Sequence, residues 1–175
     1  MNLPNLLSIF RLFVTSIFIL FIIQGRFRLA LYLFIAQGVS DLLDGFLARI
    51  MEKKTDLGAF LDPLADKVML VSSFVVLYMK GRVPLWTMNV VLLRDFIIAS
   101  GFLLLHTLSY RIKPQPVMLG KIATFFQICT IIYVLASYEK VYDTFFFYGT
   151  VFFTIASGIH YVLRGLFIIV KRETA

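Results

Sequence analysis

The sequence predicts an all-α polytopic membrane protein with six transmembrane helices. Three observations carry that prediction. Of 175 residues, 60% are hydrophobic and 19 are phenylalanine, giving a mean hydropathy of +0.89; a soluble domain is nearer half apolar. The apolar residues fall in runs of roughly 20, the length that crosses a ~30 Å hydrocarbon core as a helix. The runs are also too long and too continuous for barrel strands, which are shorter and alternate. Six such spans use most of the chain, so residues 1–175 read as a single domain with only short loops.

The first span covers about residues 5–24. No positive charge precedes it and no small-residue cleavage site follows, so it reads as a retained helix rather than a removed signal. Gln24-Gly25-Arg26-Phe27-Arg28 divides it from a second span, about 29–52. Lys53–Asp56 leads to a third, about 57–80, and Asp56 suits an exposed helix N-cap. Gly81-Arg82-Val83-Pro84 opens a fourth, about 84–108, and Ser109–Pro116 precedes a fifth, about 117–138. The stretch Ser137–Asp143 introduces the sixth, about 143–170. There is no internal repeat and no low-complexity tract.

The net charge of +7 belongs to a membrane surface rather than to nucleic acid, because the aromatic residues show no interleaved basic pattern for stacking bases. With the N-terminus inside, ten basic residues lie near the inner side: Arg11, Arg49, Lys53, Lys54, Arg111, Lys113, Lys121, Arg164, Lys171 and Arg172. Five lie near the outer side: Arg26, Arg28, Lys80, Arg82 and Lys140. That bias predicts both termini in the cytoplasm and supports an even number of spans. The lone Cys129 reads as a small core residue, and His106 and His160 read as structural or interfacial.

Four acids stand out because charge inside a bilayer is expensive. Asp41, Asp44, Gly45 and Ala48 are spaced i, i+3, i+4, i+7, and Gly58, Asp62 and Asp66 are spaced i, i+4, i+8. Each set shares one helical face. The turn between spans two and three puts the acids at similar depth under the inner interface. Four close carboxylates repel unless cations join them. Oxygen-only donors suit hard divalent ions such as Mg²⁺, Mn²⁺ or Ca²⁺, and two such ions compensate four charges. Gly45, Ala48 and Gly58 clear space beside the acids, and Arg49 offers a planar donor to phosphate. Together these residues point to phosphoryl transfer from a diphosphate substrate. The plainer reading of a single acid here is a hydrogen bond between helices.

The pattern D-x2-D-G-x2-A-R-x8-G-x3-D-x3-D, read as Asp41, Asp44, Gly45, Ala48, Arg49, Gly58, Asp62 and Asp66, resembles the signature of the CDP-alcohol phosphatidyltransferases. Eight fixed positions over 26 residues make that signal specific. The resemblance implies the six-helix membrane fold of that family, a homodimer, and a site near the cytoplasmic face. It also implies transfer of a substituted phosphate from a CDP-linked donor to an alcohol, with release of CMP. Asp41, Asp44, Asp62 and Asp66 are expected to bind two divalent cations, Mg²⁺ or Mn²⁺. Asp66 is further expected to act as the general base on the acceptor hydroxyl, and Gly45, Ala48, Arg49 and Gly58 to line the CDP site.

The opening MNLPNLLSIFRL, and Gly120-Lys121 with Thr124 and Gln127, resemble the bacterial phosphatidylglycerophosphate-forming branch of the family. That branch joins CDP-diacylglycerol to glycerol 3-phosphate. The expected partners are therefore these substrates and membrane lipids, in a bacterial inner membrane. Arg94, Lys121 and Arg164 are the candidates for the acceptor phosphate; for each, a helix pairing or an interfacial anchor is the plainer role. Leu93-Arg94-Asp95 departs from the Arg-Glu of that branch. Together with the proline-containing segment before Gly120, it resembles the cardiolipin-forming branch, which uses phosphatidylglycerol. A divalent-cation transporter would instead show two related halves with broken helices, and a membrane scaffold would need neither the acids nor Arg49.

Overall fold

A computed structural model of the chain describes the backbone of residues 3–50, 56–107, 117–137 and 143–173, and the side chains of residues 10–41, 65–105, 107, 117–137, 144–167 and 170. Among the described residues there are six helices and no strand: α1 (Leu3–Ile23), α2 (Phe27–Ile50), α3 (Asp56–Met79), α4 (Leu85–Thr107), α5 (Met118–Ala136) and α6 (Asp143–Glu173). The expected spans and the helices coincide to within a few residues. α2 starts two residues early because the Arg26 carbonyl already accepts the Ala30 N–H, at 3.1 Å. α6 runs three residues further than expected, through Lys171 and Arg172, whose charge suits a helix C-terminus. Asp56 is the first residue of α3; its side chain lies outside the described residues.

Among the described residues, three stretches are long and apolar enough to cross a membrane: Leu85–Leu105, Met118–Ala136 and Thr144–Phe167. The described part of α1, Phe10–Ile23, is apolar but shorter. α2 and α3 carry the four signature acids. The outer surface is apolar: Phe96, Phe145 and Phe152 are 71%, 72% and 66% exposed. So many bare aromatic side chains need an apolar surrounding, and the protein is an integral membrane protein.

The chain divides into two compact units. The first comprises Met1–Arg82 and Ile131–Tyr138. Within it α1 packs against both α2 and α3. The buried positions of α1 are Arg11, Thr15, Phe18 and Ile22, spaced four, three and four apart as one helical face requires. On α2 they are Ala30, Phe34 and Gln37, again one face, and the rings of Phe18 and Phe34 meet at 5.8 Å. α3 contributes Ala65, Met69, Leu70, Phe74 and Leu77.

α1 and α3 end in the same way. Gly25 (φ 74°) and Gly81 (φ 67°) adopt the left-handed conformation. The Gly25 N–H bonds the Ile22 carbonyl and the Arg26 N–H bonds that of Phe21; Gly81 to Tyr78 and Arg82 to Leu77 repeat the pattern. These paired bonds form Schellman motifs, which satisfy the last helical carbonyls and need a residue without Cβ at the left-handed position.

The second unit comprises Val83–Thr130 and Glu139–Ala175, and α4 packs against α6 within it. Phe147, Thr150, Thr154 and Ser157 form the buried face of α6. Small residues on such a face let helices approach closely in a membrane, and their hydroxyls add bonds between helices. Thr150 and Thr130 share a 2.7 Å bond, Gln127 donates to Thr154 at 3.2 Å, and the rings of Phe126 and Phe153 stack at 4.5 Å. Gly149 makes room for that stack, since a Cβ there would meet the Phe126 ring at 3.1 Å.

Candidate active site

Asp41 of α2 and Asp66 of α3 converge on a residue of α1. Arg11 Nη2 lies 2.6 Å from Asp41 Oδ1, and Arg11 Nη1 lies 3.0 Å from Asp66 Oδ1. The first and last acids of the 26-residue pattern thus share one guanidinium. A planar fork can serve two carboxylates at once, which a point-like ammonium cannot. The Arg11 side chain is 6% exposed, whereas those of Asp41 and Asp66 are 40% and 44% exposed. The cation is therefore buried and the acids open outward. A buried arginine without an anion would be severely penalised, so the pairing is a condition for α1 to pack here.

α2 also grips the backbone behind Arg11. Gln37 stands one turn before Asp41 on the same helical face. Its Nε2 donates to the Arg11 carbonyl at 3.2 Å and to Thr15 Oγ1 at 3.0 Å. Thr15 Oγ1 in turn donates to the same carbonyl at 2.9 Å. Among the described residues, Gln37 Oε1 is buried with no hydrogen-bond partner. These bonds fix α1 in register against α2, and so fix where the guanidinium reaches.

Asp44, Gly45, Ala48 and Arg49 belong to α2 and Gly58 and Asp62 to α3; their side chains lie outside the described residues. Among the described residues, no three acid, histidine or cysteine side chains gather in a metal-ligating group. The donor chemistry does fit hard cations. Asp41 and Asp66 offer carboxylate oxygens, Arg11 offsets only one of their two charges, and both acids are accessible.

The residues expected at an acceptor phosphate belong to the second unit. Arg94 is 7% exposed; its Nη1 bonds Asp95 Oδ1 at 2.6 Å and its Nη2 donates to Ser157 Oγ at 3.0 Å. Among the described residues, its Nε is buried with no hydrogen-bond partner. Gly120, next to Lys121, is pressed into the same cluster. A Cβ on Gly120 would lie 3.2 Å from Tyr161 Oη and 3.4 Å from Arg94 Nη2. Tyr161 Oη also accepts the Val117 N–H at 3.4 Å. Lys121 is exposed and Arg164 half-buried.

Sequence reasoning counted Arg11 only as an inner basic residue and passed over Gln37, Ser157 and Tyr161. A signal for Arg11 was present. It is the lone cation of the first apolar run, at the end of that run where the acids of spans two and three are expected.

Comparison with known proteins identifies the family. The family model described as CDP-alcohol phosphatidyltransferase matches residues 1–156, which include all eight signature positions. A Drosophila melanogaster protein named "Probable cardiolipin synthase (CMP-forming)" is 33% identical over 75% of this chain, which spans 46% of that protein's length. The CDP-diacylglycerol–glycerol-3-phosphate 3-phosphatidyltransferase of Aquifex aeolicus is 30% identical, with 98% of this chain and 99% of that protein covered. The Bacillus subtilis protein of the same name is 30% identical, with 91% and 93% covered. With 156 of its residues matched and both clasped acids inside the signature, the chain belongs to the CDP-alcohol phosphatidyltransferase family of membrane enzymes.

Proposed function

We propose that this chain transfers the phosphatidyl group of CDP-diacylglycerol to glycerol 3-phosphate, releasing CMP and forming phosphatidylglycerophosphate. The observation that carries the reading is the Arg11 clasp, which brings together the first and last acids of the signature. The choice of acceptor is supported by similarity over nearly the whole length of the Aquifex and Bacillus proteins.

The acceptor hydroxyl oxygen attacks the phosphorus of the phosphatidyl group. The phosphorus–oxygen bond to CMP breaks, and CMP leaves with the electron pair. The hydroxyl proton passes to a carboxylate oxygen of Asp66, whose orientation Arg11 fixes through Oδ1. A carboxylate is a weak base for an alcohol, so positioning must supply much of the acceleration. Asp41, Asp44, Asp62 and Asp66 would hold two divalent cations, Mg²⁺ or Mn²⁺. Bound there, the ions would stabilise charge on the phosphoryl oxygens and on the leaving CMP. Gly45, Ala48, Arg49 and Gly58 line the CDP subsite in this reading, and Arg94, Lys121 and Arg164 serve the acceptor phosphate. In this reading the protein is a single-domain homodimer of the bacterial inner membrane, and the ten-to-five charge bias supports placing both termini and the site on the cytoplasmic side.

The Arg94–Asp95 pair favours one second reading. That pair is formed, at 2.6 Å, and it is the feature resembling the cardiolipin-forming branch, where phosphatidylglycerol replaces glycerol 3-phosphate. Purified protein with CDP-diacylglycerol and Mg²⁺ or Mn²⁺, offered glycerol 3-phosphate, phosphatidylglycerol, serine and inositol phosphate in parallel, decides between them. CMP release with glycerol 3-phosphate is expected. Release with phosphatidylglycerol alone would replace the first reading by the second, and no release with any acceptor would overturn both.

A further inference from the structure

The guanidinium of Arg11 and a divalent cation have the same targets. Nη2 stands 2.6 Å from Asp41 Oδ1 and Nη1 stands 3.0 Å from Asp66 Oδ1. These two acids are among the four that would hold the ions in the reading proposed above. A permanent positive charge is therefore built against two of the ligands.

That charge stays in place. The Arg11 side chain is 6% exposed, while those of Asp41 and Asp66 are 40% and 44% exposed. The acids are reached from the open side, and the guanidinium backs them from the buried one. Gln37 Nε2 donates to the Arg11 carbonyl at 3.2 Å and to Thr15 Oγ1 at 3.0 Å. α2 is thus pinned to α1 through the backbone and through Thr15, and that grip does not pass through the guanidinium. Helix register and countercharge come from different atoms.

Two effects of Arg11 on cation binding oppose each other. As a hydrogen-bond donor behind two ligands it steadies them, and losing such a partner typically weakens metal binding about 10–100-fold. As a charge it repels the ion. Two cations that share one carboxylate stand on the order of 5 Å apart, and at that separation a unit charge weakens the binding of a doubly charged ion by about tenfold or more even at the dielectric of water. A half-buried site has a lower dielectric, so the repulsion there is larger. The steadying effect is the smaller one here, because the Gln37 grip and the packing of α1 against α2 and α3 hold the ligands without it. The same charge offsets part of the repulsion between the acids, so the three helices can pack before any metal arrives.

We infer that Arg11 is a resident counter-cation that weakens divalent-cation binding at the acidic site and spares the packing of α1, α2 and α3 from depending on metal. The inference rests on the reading of Asp41 and Asp66 as metal ligands.

The test is Mn²⁺ binding to full-length protein in detergent, with free Mn²⁺ counted by electron paramagnetic resonance, beside thermal unfolding with and without Mn²⁺. Arg11→Gln is expected to bind Mn²⁺ about tenfold more tightly than wild type while its CMP release falls. A merely structural loss would weaken both. The thermal transition of Arg11→Gln is expected to rise more on adding Mn²⁺ than that of wild type, because an ion that binds the folded state stabilises it according to its affinity. Arg11→Lys keeps the charge and loses the fork, so its Mn²⁺ affinity is expected within about threefold of wild type. Asp41→Asn with Arg11→Gln removes an acid and a cation together and covers the case in which Arg11→Gln alone does not fold. It is expected to bind Mn²⁺ about tenfold more tightly than Asp41→Asn alone. Unchanged or weaker Mn²⁺ binding on adding Arg11→Gln to either background that folds would overturn the inference and leave the metal reading standing. Equal tightening by Arg11→Lys and Arg11→Gln would overturn it too, since charge would not be the cause. No Mn²⁺ binding by any of these proteins would overturn the metal reading and the inference with it.

Discussion

Arg11 and Asp66 stand 55 positions apart in the sequence and meet at 3.0 Å, Nη1 donating to Oδ1. The same guanidinium holds Asp41 at 2.6 Å. The relationship makes α1, which contributes no acid to the signature, a structural member of the site. If it orients the base, Arg11→Ala should reduce CMP release by roughly two orders of magnitude, the cost of about 1 Å of misplacement at a reacting centre. Arg11→Lys should fall between, because an ammonium does not fork to two carboxylates. Turnover with CDP-diacylglycerol at saturating acceptor checks this, and wild-type rates in both variants would remove Arg11 from the site.

Asp66→Asn keeps the shape and a hydrogen-bond acceptor for Arg11 but cannot take the acceptor proton. A positioned general base contributes about 10²–10⁴-fold. The variant should lose that much CMP release while its helical circular dichroism and thermal transition stay close to wild type. Full turnover would exclude Asp66 as the base.

Gln127 and Thr154 test the seam between α5 and α6. Both are fully buried, and Gln127 Nε2 donates to Thr154 Oγ1 at 3.2 Å. Gln127 Oε1 is buried with no hydrogen-bond partner among the described residues. Thr154→Val leaves the amide unsatisfied and should cost about 1 kcal/mol. Adding Gln127→Leu should recover most of that, since removing both partners of a buried pair is nearly neutral. Thermal unfolding in one detergent gives the cycle, and simple additivity would show that the bond carries no coupling.

Gly120 is expected to be intolerant of size. An added Cβ would meet Tyr161 Oη at 3.2 Å and Tyr161 Cε2 at 3.3 Å, so Gly120→Val should destabilise the second unit by about 1–3 kcal/mol. Tyr161→Ala should relieve part of the loss. Failure of the second change to rescue the first would place the strain elsewhere.

Lys121 is exposed while its neighbour Gly120 is buried. Replacing it with Gln should leave the thermal transition unmoved and raise KM for glycerol 3-phosphate several-fold, if its ammonium serves the acceptor phosphate. An unchanged KM would return Lys121 to an interfacial anchor.

The positions of α1 to α6 were legible in the sequence because helix formation in apolar surroundings is local. A run of about 20 apolar residues fixes a helix, and Gly25 and Gly81 mark two of the ends. The acid faces were legible for the same reason: Asp41 with Asp44, and Asp62 with Asp66, recur at helical spacing. Their eight-position pattern carried the family. What the sequence left open was which cation each acid would meet, because helical periodicity is blind to the neighbouring helix. Packing of α1 against both α2 and α3 decided that Arg11, rather than a residue of the signature, would bridge Asp41 and Asp66. That outcome rests on burial of the faces around Phe18 and Phe34, contacts between distant segments that exist only once the helices are side by side.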